Sequence, residues 1–580
     1  MSPHLSLKNA MDQHQIHYEI FARRAGATSL TLEAATEDRE RAMETAREML
    51  EGPRFVAVKV TKEIQDPDTG GFKTVTIFSQ GEVEAKKAKV TLEDPGAACI
   101  SPADLYTVHA RDRIGRLLEP WLARNKATAF ELLHRPDLIE KLDASGLELQ
   151  HAIQKISVPE AQARGVGVHE VIRNFQGLTQ RAIDRVIADG RKKQFADLKS
   201  EQFSQVCTRL CSEPDKLYYL GGAVAAHLAA ARTWGDKVAM LLDLADAAPK
   251  PGEGRGLAFM VLEQPLGEIL RSRVGLADLL GEQLDLGGQL AALTRLTASD
   301  AVDALSRADV NITRQIPPLE GPAARLAKWL QEPALENVRL QLGKRIISEL
   351  TGMRRLRPSD PRGEIEVLRA LAMALTAAAG RLLPLEEVRE AFIDRSKTLI
   401  ASDFVGAYLK DERSAMQEAT DLVWLLENVT GPTNRLQAVR WLGSTVASLR
   451  FETEACSATV SPMTRLQRLA EIYTDVVRSG GDAPGVDGVL GKLGELGGRI
   501  EADSKLTASL GRAAGPMAPR LGALLKLATG EAAPPGPAAD RAKAEALKLI
   551  RAPEALQELA NAPEAMAQVR QLARSLDAAA

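Results

Sequence analysis

Two thiols four residues apart, Cys207 and Cys211 in CTRLC, form the pair of side chains with the plainest chemical potential. A helix sets both on one face, and thiolates with an imidazole such as His227 can hold zinc. A tight zinc site needs a fourth ligand and usually a second close pair, and no such pair follows. The expectation is two small apolar side chains in a core, with no metal and no cofactor.

A second cluster surrounds HARDR, where His109, Asp112 and Glu119 stand among Arg111, Arg113 and Arg116. Histidine beside carboxylates can move protons. Charges three and four apart also make ordinary ion pairs on a solvated helix face, which is the expectation here. Asp66, Asp68 and Gly70 begin like a calcium loop but lack its closing glutamate and helical flanks, so DPDTGG reads as a hairpin turn. His134, His151 and His169 are isolated and receive no role.

The segment MRRLRPSDPR (353–362) gathers Arg354, Arg355, Arg357 and Arg362 beside an expected inter-helix loop. Guanidinium forks fit phosphate and carboxylate, and a following helix start adds amide donors. These four are the leading anion- or partner-binding candidates, against the competing reading of a solvated linker. Aromatics do not alternate with them, so nucleic acid is not an expected partner. In 421–442, DLVWLLENVTGPTNRLQAVRWL, two amphipathic helices meet at Gly431-Pro432. Trp424 and Trp441 follow the apolar stripes, so they are read as anchors of one hairpin with neighbouring rings, in the core or at an interface.

Other catalytic signatures are missing: the sequence has no GxxxxGK[ST], GxSxG, HExxH or CxxC. A net charge of −3 supplies no general field for nucleic acid or anionic lipid. Four cysteines in 580 residues suit a reducing cytosol, and the first residues, MSPHLSLKNAMDQHQIH, lack a signal peptide's apolar run. The Ala/Arg/Gly bias suggests a GC-rich bacterial genome.

The scaffold for these residues changes its pattern near residue 80. Before it, apolar residues alternate in 16–24, in Leu30, Leu32 and Ala34, in 54–64 with Val56, Val58 and Val60 inward, and in 72–79. Ala42, Met43, Ala46, Met49 and Leu50 form a helical stripe between them. This is a ββαββ layer. From Ser101-Pro102 onward the period is 3.6, with helices expected over 103–118, 127–134, 136–144, 147–156, 168–188, 200–211 and 217–245. With only 4% aromatics, the chain reads as mainly α, an irregular array of helical bundles with a small N-terminal α+β domain.

The expected segments are 1–82, a linker at 83–100, helical domains at 101–248 and 256–455, and a Gly/Ala-rich helical region at 456–580. Functionally, the expectation is a cytoplasmic, non-catalytic adaptor, scaffold or regulatory protein that binds a protein partner through helical surfaces and does not insert in membranes. The alternatives are an enzyme with an unrecognised site, or an anion- or nucleic-acid-binding protein using Arg354 to Arg362.

Overall fold

A computed structural model describes residues 16–24, 30–51, 55–65, 72–81, 99–283, 285–409, 414–481 and 483–552, with five isolated positions beyond. The DPDTGG turn and most of the expected linker lie outside these residues. The chain divides into two units, one of residues 1–99 with 160–165 and one of 100–159 with 166–580.

In the first unit, strands β1 (Ile16–Arg24), β2 (Thr31–Thr36), β3 (Phe55–Gln65) and β4 (Phe72–Gly81) form an antiparallel sheet in the order β2-β1-β3-β4. Helix α1 (Arg39–Glu51) lies between β2 and β3 in sequence. Alternation puts Tyr18, Ile20 and Ala22 with Val58 and Val60 on one face, where Ala42 and Ala46 of α1 complete the core.

Leu32 and Val56 escape the alternation, each through a bulge. Ile20 faces Ala34 but Phe21 faces Leu32, so Glu33 is an extra residue and Leu32 turns outward to an exposed position. Arg23 faces Ala57 while Arg24 faces Phe55, which makes Val56 the extra residue. Expected inward, Val56 is exposed.

The second unit is helical throughout its described residues. Hydroxyl caps divide two of the expected helices. Residues 103–118 become a 3-10 turn, Pro102–Tyr106, and a helix, Val108–Leu117, whose start is capped by Thr107. Residues 217–245 become Lys216–Leu228 and Trp234–Asp246. At that second break the Thr233 hydroxyl accepts from the Asp236 amide at 3.0 Å, and the Asp236 carboxylate accepts from the Thr233 amide at 2.9 Å. This capping box starts a new helix where periodicity alone reads one.

A single apolar cluster extends from Phe130 to Ala546. Helix Glu253–Arg271 begins in the break at 249–256, and helix Pro462–Gly480 begins just beyond Cys456. A smaller cluster holds Trp121, Leu138, Ile139 and Leu142. Among the described residues, no helix is long and apolar enough to cross a membrane.

Arginine holds many helix ends together. Arg395 is fully buried and donates to the carbonyls of Leu350, Arg354 and Glu349 at 2.6–2.7 Å, where helix Glu336–Thr351 ends. Arg345 reaches the carbonyls of Leu270 and Arg271, and Arg435 those of Ser479 and Gly480. The last carbonyls of a helix have no partner within it, so a cation from a neighbouring helix satisfies them and complements the helix dipole.

Candidate functional site

The four arginines of 353–362 do not converge on an open anion site. Arg355 lies 2.8 Å from buried Glu364, and its guanidinium stacks over Phe404. Arg357 is 3.7 Å from Asp285 and donates to the Gly363 carbonyl. Arg362 approaches Glu366 and Asp421 and covers the ring of Trp424. Arg354 is exposed. Three of the four guanidinium groups thus face carboxylates, and this segment braces the start of helix Pro361–Ala377.

Trp424 and Trp441 both pack half-buried against the main core, yet with separate partners. Trp424 stacks beneath Arg362, while the Trp441 indole N–H donates to the Ile400 carbonyl at 3.0 Å. Helices Ala415–Asn428 and Pro432–Val446, which carry the two rings, do pack against each other. Cys207 is wholly buried, and burial pushes its thiol up to about 12, which keeps it protonated and inert. Cys211 donates to the Cys207 carbonyl. His227 has Asp243, Lys199 and Asp197 as its charged neighbours. Among the described residues, no group of three His, Cys, Asp or Glu side chains is placed to hold a metal ion.

The HARDR helix behaves differently from its reading as a solvated face. His109 and Glu119 are exposed, but Arg111 is buried. Its Nε donates to Glu268 at 2.7 Å, and the second Glu268 oxygen accepts from the Phe130 amide at 2.8 Å. Burial raises the Glu268 carboxyl, with Arg111 and the Phe130 amide pulling it back. A lone buried guanidinium would be very costly, so this pair fixes the helix against Glu253–Arg271. The next residue, Asp112, sits between Arg116 at 2.7 Å and Arg271 at 4.0 Å.

Two depressions flank Arg111 and Arg271. The smaller, about 160 Å³, is lined by Asp112, Glu119, Trp234 and Glu268. Its hydroxyls, Thr128 and Ser272, are both helix caps. The larger is a groove of about 470 Å³ bounded by Val108, Leu217, Met260 and Lys344. Each wall is a helix: Val108–Leu117, Lys216–Leu228, Glu253–Arg271 and Glu336–Thr351. Met260 and Gln264 stand one turn apart on the third, and Asn337, Gln341 and Lys344 follow one face of the fourth.

Three large apolar side chains in this groove remain open to solvent: Val108 is 55%, Leu217 45% and Met260 50% exposed. Burial raises the carboxyl of Glu263, partly offset by the Asn337 amide, which donates to it at 3.1 Å. Among the described residues lining the groove there is no Ser, Thr, Cys, His or Tyr. Sequence reasoning missed this site because its apolar members lie in three segments, each unremarkable alone.

No protein-family model matches this chain, and no curated protein or solved structure matches it either.

Proposed function

We propose that this chain is a non-catalytic adaptor or scaffold, and that the groove beside Arg271 is its working surface. The supporting observation is the exposure of Val108, Leu217 and Met260 together in one concave site. Leaving large apolar side chains in water forgoes about 25 cal/mol per Å², which a covering partner recovers. A small ligand is normally about 70–90% enclosed, and walls this exposed suit a macromolecular partner better. Four free thiols agree with a cytoplasmic setting.

The reading is tested by affinity capture with the intact chain and its Met260→Glu and Leu217→Glu variants. Both substitutions fall on exposed positions and are expected to leave thermal melting unchanged. Stoichiometric loss of particular captured proteins in both variants is the expected result. Capture of the same proteins by all three chains would defeat the proposal.

A further inference from the structure

The groove's chemistry narrows the class of partner, on the premise that the adaptor reading is correct. Its walls are the sides of helices, whose backbone N–H and C=O groups are already paired within each helix. Recognition there falls to side chains, and no strand edge is offered. An extended peptide would bury its own backbone polar groups without partners, whereas a helix satisfies them internally.

Charge supplies the second constraint. The cations on the groove are Arg111, Arg271 and Lys344, and Glu263 is the one carboxylate among its described lining residues. Arg111 is neutralised by Glu268. Arg271 lies 4.0 Å from Asp112 and shares a hydrogen bond with Gln341, which leaves it weakly compensated. Lys344 is exposed and has no ion-pair partner among the described residues. Glu263 is held by the Asn337 amide at 3.1 Å, so its carboxylate is engaged within the groove wall. The groove is thus apolar along Val108, Leu217 and Met260 and positive along Arg271 and Lys344.

We infer that the groove receives an amphipathic helix of a partner protein, with apolar side chains one turn apart and acidic side chains bordering that stripe. The apolar stripe covers Leu217 and Met260, and the acidic border meets Lys344 and Arg271. Such rim charges set selectivity and encounter rate more than total affinity.

Fluorescence anisotropy with the full chain tests this, using three labelled synthetic peptides of about 18 residues, longer than the ~12–15 an isolated helix needs. All three carry the same Leu stripe, flanked by Glu, Gln or Lys. The Glu peptide is expected to bind about tenfold more tightly than the others, a difference of about 1.4 kcal/mol. Lys344→Glu should remove that preference, and Met260→Glu should weaken all three. Equal binding of the Lys or Gln peptide, an unchanged preference in Lys344→Glu, or no binding of any peptide overturns the acidic-helix inference. The adaptor reading stands or falls separately, on whether Met260→Glu loses captured proteins.

Discussion

The Nζ of Lys237 lies 2.7 and 2.6 Å from the two carboxylate oxygens of Glu131, 106 positions earlier in the chain, and both side chains are buried. Glu131 also closes the capping box on Thr128 and accepts from Arg135, so one carboxylate joins the Ala129–Leu132 helix to Trp234–Asp246. Burial lowers the Lys237 pKa while Glu131 pulls it up. Lys237→Met leaves the carboxylate buried with reduced compensation, and a cost of about 3–5 kcal/mol is expected. Differential scanning calorimetry should record a large fall in melting temperature. Combining Lys237→Met with Glu131→Gln should recover much of it, since both charges are then gone.

His134 is one source of acid sensitivity. Its ring is wholly buried against Tyr106, Phe130 and Tyr218, its Nδ1 is 2.7 Å from the Phe130 carbonyl, and burial holds its pKa down at about 4. An unfolded chain binds this proton at about pH 6.5, so stability is full above that value and falls as pH drops toward 4. The loss amounts to about 3 kcal/mol. Glu268, raised by burial, contributes with the opposite sign, so the comparison must be differential. Melting temperatures of wild type and His134→Leu between pH 7 and 4 should converge as pH falls. Parallel curves would show that this imidazole is not the acid-sensitive group.

The helical class and the N-terminal layer were legible because period 3.6 and period 2 are direct consequences of burying one face. The bulges at Glu33 and Val56 were not, because an extra residue in one strand is set by its partner's register rather than by its own sequence. Thr233 and Asp236 form a visible capping box, yet the Ala/Leu stripe on both sides outweighed it. The arginines were hardest. Arg395, Arg435 and Arg345 look like solvated charge in sequence, and only the fold reveals which carbonyls they serve. The groove had no sequence signal, since Val108, Leu217 and Met260 meet only after packing.

Arg395 provides a test of the cross-helix capping. Its planar fork serves three carbonyls, whereas a lysine presents one point charge. Arg395→Lys should destabilise the chain by about 2–4 kcal/mol, from charge-assisted hydrogen bonds lost in a buried site. Hydrogen exchange should speed up at the end of helix Glu336–Thr351 in this variant. Exchange unchanged there would show that the carbonyls do not depend on Arg395.

Separate partners for Trp424 and Trp441 imply nearly independent energetics. Trp441→Phe should cost about 1 kcal/mol through its lost hydrogen bond to Ile400. Trp424→Ala should cost more, because the support beneath Arg362 is removed. In a double-mutant cycle read by thermal denaturation, the two effects should add within about 0.5 kcal/mol. A coupling well above that would show a shared seam between the rings.

The central claim, that the groove is a working surface, is tested most directly by photo-crosslinking the full chain in its native cells. A photoreactive amino acid is placed at Met260, and at Val310 and Leu449 as exposed apolar comparison sites 79% and 77% accessible. Met260 should yield a discrete crosslinked protein that neither comparison site captures, and Leu217→Glu should abolish it. Crosslinking at Met260 that matches Val310 and Leu449 in yield and pattern would contradict the account.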